Sequence, residues 1–194
     1  MIKSYSPLWG VLLVCLCQSL YAVESAKDQT TMVLPVNDVS KIKTSLSIKI
    51  PEDFRPLQTL DQGYKNHMFE YVPKSDDENK WTQIITSSLF VGIKKSASDF
   101  TSIMKSEFKK APQAKLLDES TNEKDDYQVS SLGFSYEDKA RKEVVYMRYY
   151  SGPDDLSGIQ YAKPLKDDQS PEEVLNELKS FVDKISTVVI DKKS

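Results

Sequence analysis

The chain has 194 residues, of which 39% are hydrophobic and 28% are charged, and its formal net charge is −3. The hydrophobic content is too high for a disordered chain, and the interspersed charges lack the basic stripe of a nucleic-acid-binding protein. The length predicts a single globular domain.

The first 22 residues have the features of a secretory signal peptide. Lys3 is followed by an apolar run from Leu8 to Leu20, which is shorter than the roughly 20 residues that a transmembrane helix needs. Ala22 is the small residue at the predicted cleavage site. We therefore expect a periplasmic or secreted protein with no stable membrane insertion after cleavage.

Both cysteines, Cys15 and Cys17, lie in this signal segment. Each follows a large apolar residue, whereas a lipoprotein signal has a small residue before the modified cysteine. We interpret them as small hydrophobic residues of the signal peptide, with lipidation as the alternative. The mature chain then forms no disulfide, and no Asn in it begins an Asn-x-Ser/Thr sequon, which favours a bacterial exported protein.

The mature chain divides into a flexible N-terminal arm, residues 23–43, and a single globular α+β domain, residues 44–194. Within the arm, Met32–Val36 could pack against the domain in an extended conformation. Residues 54–57 and 61–63 are interpreted as turns, and Leu116–Asp126 as a polar connection that could hold a short strand. Alternating or β-branched runs predict the strands. These are Ser45–Ile50, His67–Val72, Trp81–Val91, Tyr127–Tyr136, Glu143–Tyr150 and Ser157–Ala162.

Two segments are predicted to be helices. Ser96 and Asp99 form a capping pair for a helix over Ser96–Ala111, and Ser170 with Glu173 does the same for a C-terminal helix. An apolar stripe marks each helix. The first stripe is Phe100, Ile103, Met104 and Phe108, and the second is Val174, Leu178, Phe181, Val182, Ile185 and Val189. The order β-β-β-α-β-β-β-α predicts an α+β fold, with an antiparallel sheet of about six strands covered by two main helices.

This element order resembles the Mog1/PsbP-like fold over residues 44–190. The pieces that carry the resemblance are Ile50–Phe54, Phe69–Pro73 and Trp81-Thr82. The resemblance implies an α/β/α sandwich whose relatives bind other proteins or assist assemblies and are generally not enzymes. It provides no functional residue to carry over to this chain.

Few residues could support catalysis or bind a cofactor. His67 is the single histidine, and we interpret it as a partly exposed residue at the edge of a strand. The chain has no Gly-rich phosphate loop and no Gly-x-Ser-x-Gly elbow. We therefore expect no enzyme, no metal site, no catalytic residue and no cofactor.

Acidic residues recur in pairs, and we interpret them as turn residues because Asp often bonds its own backbone in turns. The pairs are Asp76-Asp77, Asp125-Asp126, Asp154-Asp155 and Asp167-Asp168. Calcium binding or carboxylate-based hydrolysis, the latter using residues such as Asp76, Asp77, Asp154 or Asp155, are the alternatives.

Tyr146, Arg148 and Tyr150 alternate along one strand and therefore share one face of it. A Tyr/Arg face is typical of a binding surface, while tyrosines filling a covered sheet are the alternative interpretation. We predict a non-enzymatic binding or assembly-assisting protein of the bacterial envelope or secretome, with an unidentified protein partner at this face. A small-molecule carrier is the further alternative.

Overall fold

The computed structural model describes residues 31–39, 42–61, 66–77, 81–111, 113–137, 141–153 and 155–192. The predicted signal peptide and its cleavage site lie outside the described residues. In chain order the elements are β1 (Thr31–Val39), β2 (Ile42–Lys49), β3 (Phe54–Asp61), β4 (Asn66–Pro73), β5 (Ile84–Val91), α1 (Ala97–Phe108), β6 (Lys115–Glu123), β7 (Gln128–Glu137), β8 (Lys142–Ser151), β9 (Asp155–Pro164), α2 (Pro171–Ile185) and β10 (Ser186–Lys192).

The strands form two antiparallel sheets. One has seven strands in the order β3-β4-β5-β9-β8-β7-β6, and the other has three in the order β1-β2-β10. The predicted α+β class, an antiparallel sheet with two main helices, is confirmed. The predicted sheet of about six strands corresponds to the seven-stranded sheet, and the described residues contain four strands beyond the six predicted, β1, β3, β6 and β10.

Two of the additional strands lie at the edges of the large sheet. The structure corrects the turn predicted at residues 54–57, because β3 begins at Phe54 and pairs with β4. Pro56 is accommodated there because an edge strand needs hydrogen-bond donors on one side only. The connection predicted at Leu116–Asp126 contains β6, whose polar residues are mostly exposed, as expected for an edge.

The small sheet accounts for the other two additional strands. β1 lies inside the segment 23–43 that the sequence predicts as an arm, and it pairs with β2 along its length. β10 follows α2 directly, so Val189 belongs to a strand and not to the predicted helix stripe. The backbone becomes extended at Ser186 (φ −116°, ψ 133°), where the helix ends. The β-branched run from Thr187 to Ile190 then favours a strand.

Both helices begin at the predicted residues. The Ser96 Oγ accepts a hydrogen bond from the Asp99 amide at 3.0 Å, and the Ser170 Oγ accepts one from the Glu173 amide at 3.1 Å. In each helix the acidic side chain bonds back to the amide of the capping serine. These capping boxes satisfy amides that would otherwise lack partners at the helix start.

The two helices cover opposite faces of the seven-stranded sheet. Phe100, Met104 and Phe108 of α1 pack with Phe134 and Met147 on one face. On the other face α2 shares its cluster with the small sheet. This second cluster includes Leu34, Leu46, Ile48, Tyr71, Tyr146, Tyr150, Ile159, Val174, Leu178 and Val182. The large sheet is therefore buried on both sides over its central strands.

Candidate partner-binding site

The Tyr/Arg face predicted to bind a partner lies inside the protein. Tyr146 and Tyr150 are only 1% and 5% exposed, and both belong to the cluster beneath α2. Their strand β8 lies between β9 and β7, where helices cover both faces. The exposed binding surface predicted at Tyr146, Arg148 and Tyr150 is therefore contradicted, because α2 packs over this face.

Arg148 joins this face to the helix above it. Its Nη1 donates a hydrogen bond to Asp183 Oδ1 on α2 at 2.6 Å, in an ion pair. Its Nε and Nη2 donate to the Tyr146 hydroxyl at 3.1 and 2.8 Å. These contacts occupy the guanidinium with groups of its own chain, so its role is to fix α2 on the sheet.

Most of the described acidic-pair residues lie in turns or bends, as predicted, whereas Asp155 is the first residue of β9. Asp76 Oδ2 accepts hydrogen bonds from the amide and the hydroxyl of Thr82, and Asp155 Oδ1 accepts one from the Gly92 amide at 3.0 Å. Asp167 forms an ion pair with Lys142, while Asp154 lies outside the described residues. Within the described ranges, no three His, Cys, Asp or Glu side chains are grouped in a way that could hold a metal ion.

His67 is half-buried in β4, opposite Leu89 of β5. This matches its interpretation as a partly exposed strand residue, although β4 is not the edge strand, because β3 lies outside it.

A pair of buried hydroxyl groups lies on the α1 face of the large sheet. Thr86 and Ser88, two residues apart on β5, are 1% and 2% exposed, and neither hydroxyl has a hydrogen-bond partner. The ring of Tyr149 lies beside Ser88, and its hydroxyl accepts a hydrogen bond from the Gln160 amide group. Burying a hydroxyl without a partner costs free energy, so these groups are structurally unusual.

The free edge strands of the two sheets differ in the features that protect them from pairing with another chain. β3 carries Pro56 beside a bulge, and β1 carries Pro35 beside another. β6 carries charges, of which Asp118 and Glu119 form ion pairs with Lys179 and Lys105. Prolines, bulges and charges are the features that prevent an edge strand from pairing with another chain.

The free edge of β10 has no proline and no bulge, and its charges are confined to its last two residues, Asp191 and Lys192. Its seven residues pair with β2 without a register shift, from Ser186 opposite Ile48 to Lys192 opposite Ile42. No described strand pairs with its other edge. Val189 and Ile190, at 36% and 47%, are the exposed large hydrophobic residues among those whose side chains the structure describes.

Apolar residues occupy both faces of β10. Val188 lies opposite the buried Leu46 and therefore on the inner face of the small sheet, and Ile190 shares that face. Val189, opposite Ser45, lies on the outer face. An apolar run on both faces is typical of a strand that is covered on both faces. From Val188 to Ile190, β10 thus has apolar side chains on both faces although it is an edge strand.

The strand is held firmly on its other side. Besides pairing with β2, it begins at Ser186, whose hydroxyl donates a hydrogen bond to the Val182 carbonyl at 2.6 Å and whose amide bonds to the same oxygen. This edge is not apparent from the sequence pattern, because Val189 continues the helical stripe. The run of β-branched residues after Ile185 is the signal that could have revealed it.

No family model and no curated protein matches the chain. The Ran-binding protein Mog1p of Saccharomyces cerevisiae is similar at 14% identity and a TM-score of 0.49, over 73% of this chain and 89% of that one. LpqN, involved in cell envelope biogenesis of Mycobacterium tuberculosis, is similar at 18% identity and a TM-score of 0.48, over 84% and 92%.

Cyanobacterial PsbP (CyanoP) from Synechocystis is similar at 9% identity and a TM-score of 0.46, over 78% of this chain and 95% of that chain. At these identities and TM-scores the likeness concerns the fold alone.

Among the described residues, no helix is both long and apolar enough to span a membrane.

Proposed function

We propose that this protein is a non-enzymatic binding protein that pairs the free edge of β10 with an extended segment of a protein partner. The observation that carries the proposal is the free edge itself, an unbulged strand without proline that exposes Val189 and Ile190. Backbone amides and carbonyls of such an edge bind an added strand, and side chains on alternating positions select its sequence. The predicted signal peptide supports action outside the cytoplasm.

A displayed library of random peptides tests this proposal. Peptides selected on the natural protein should be rich in β-branched residues, lack proline and slow hydrogen exchange of the β10 amides. The Val189→Lys variant should bind them at least about tenfold more weakly, because a lysine on an edge strand opposes strand addition. The matched control is Asn122→Lys on the exposed edge β6, which should leave binding unchanged.

Two outcomes would contradict the proposal. In the first, the selected peptides bind the Val189→Lys variant as tightly as they bind the natural protein. In the second, the selected peptides slow hydrogen exchange of amides elsewhere and leave that of the β10 amides unchanged.

A second candidate function is a carrier of a small polar molecule, and the buried hydroxyls of Thr86 and Ser88 favour it. A ligand that hydrogen-bonds both groups would remove the cost of burying them without partners. The test is a thermal-shift screen of sugars, amino acids and nucleosides against the natural protein and the Thr86→Val variant. A compound that stabilises the natural protein only would support the carrier function, and equal shifts in both would oppose it.

A further inference from the structure

We infer that the partner strand at β10 is the β10 strand of a second copy of this chain, paired antiparallel about a two-fold axis at Val189. This inference rests on the proposed function, since it names the occupant of the same edge. It would join the two three-stranded sheets into one continuous six-stranded sheet. The register of β10 and the faces on which its residues lie support this pairing.

The faces of β10 restrict how two copies can pair. Residues directly opposite each other in a sheet share a face, so an inner residue must lie opposite an inner residue. Val188 and Ile190 are inner, and Val189 is outer. The two-fold axis must therefore pass through a residue and not between two residues, and the registers at the middle of β10 centre on Val188, Val189 or Ile190.

The register centred on Val189 is self-complementary. Val189 of each copy lies opposite Val189 of the other, and Val188 lies opposite Ile190. Ser186 lies opposite Lys192 and Thr187 opposite Asp191, so no like charges face each other and all seven residues of the strand are paired. Centring the axis on Ile190 would instead place Val188 opposite Lys192 and Val189 opposite Asp191.

A two-fold axis also satisfies the general requirements of a closed dimer. The same patch is used on both copies, so the association stops at two and leaves no further free β10 edge. A single strand pair is a small interface beside the roughly 1,600 Å² of a standard one. We therefore expect reversible association with a dissociation constant in the micromolar range.

Sedimentation velocity of the protein, purified from cells that process it naturally, tests the dimer. The expected result is a concentration-dependent shift from monomer to dimer, with a dissociation constant at least tenfold higher for Val189→Lys and unchanged for Asn122→Lys. A second measurement tests the register by cross-linking under mild oxidation. Val189→Cys should form a covalent dimer, because the two copies of this residue are directly opposite, within the reach of a disulfide.

The matched control for cross-linking is Thr187→Cys, on the same outer face as Val189. Its two copies would lie four residues apart along the strands, too far for a disulfide, so this variant should form no covalent dimer. A monomer at all concentrations, or equal cross-linking of both variants, would overturn the inference. If library peptides still bind β10 in that case, the proposed function stands and the second copy is excluded; if they do not, both fail.

Discussion

The ring of Tyr149 on β8 lies across the backbone of Gly158, the residue directly opposite it on β9. A Cβ atom at residue 158 would overlap ring carbons of Tyr149, and the ring is held from above by Phe100 of α1, at 4.6 Å between centroids. The tyrosine can therefore occupy this space only because its cross-strand neighbour has no side chain.

We expect Gly158→Ala to lower the free energy of unfolding by about 1–3 kcal/mol, the usual cost of overpacking a filled core. Urea denaturation measures the change. Gly133→Ala is the comparison, because the Cβ there would meet the flexible end of the Leu175 side chain, which can rotate away at lower cost. A neutral Gly158→Ala variant would contradict the packing described for Tyr149.

The buried carboxylate of Glu143 depends on two neighbours. It forms an ion pair with Arg141 and accepts a hydrogen bond from the Tyr136 hydroxyl, while the Arg141 guanidinium lies 3.3 Å from the centre of the Trp81 ring. We expect Arg141→Met to destabilise the protein by about 3–5 kcal/mol, because it removes Arg141 as a counter-ion of a buried charge.

A double-mutant cycle separates this effect from lost packing. Adding Glu143→Gln to Arg141→Met should recover part of the loss, since the amide needs no counter-ion. If the two changes simply add, the ion pair contributes no coupling and the explanation fails.

The unpartnered Thr86 hydroxyl predicts a stabilising substitution. Thr86→Val keeps the shape of the side chain and removes the buried polar group, so we expect the free energy of unfolding to rise by about 1 kcal/mol. Thr101→Val is the matched control, because the Thr101 hydroxyl is equally buried yet lies 2.8 Å from the Ser130 hydroxyl. That variant should lose stability, and two changes of the same sign would contradict the prediction.

Four tyrosines predict a loss of stability at alkaline pH. Burial raises the pKa of Tyr71, Tyr149, Tyr150 and Tyr161 above the ordinary value of 10.0, with Asp53 and Glu177 raising that of Tyr161 further. Above about pH 10 the unfolded chain releases phenol protons that the folded chain retains, so the free energy of unfolding falls as pH rises.

Urea denaturation at a series of pH values measures this fall. Tyr149→Phe should make the slope shallower, because it removes one of the raised groups. A free energy of unfolding that stays constant from about pH 9 to pH 11 would show that these phenols titrate alike in both states.

The parts of the fold that could be predicted are those with local signals. Ser96 and Ser170 start their helices through hydrogen bonds within one turn, and the alternation in β8 correctly separates Tyr146 from Tyr149. Whether a face is exposed depends on distant elements that pack on it. The sequence could not show that α2 covers Tyr146, so the predicted binding surface was placed on a buried face.

The edge at β10 illustrates a different limit. Val189 lies four residues after Ile185 and therefore continues the helical stripe that begins at Val174. It also lies in the β-branched run from Thr187 to Ile190, which favours a strand. Val189 lies in a strand because β10 pairs with β2, which is distant from it in the sequence. A local pattern cannot contain that information.

The three-stranded sheet also determines when this protein can finish folding. β2 lies between β1 and β10, so it pairs with the last of the described strands to be synthesised. Until β10 emerges, one edge of β2 has no strand beside it, and Leu46 and Ile48 lack part of their final cover. Contacts of such large sequence separation form slowly, so the small sheet of a growing chain stays incomplete and open until β10 has been synthesised.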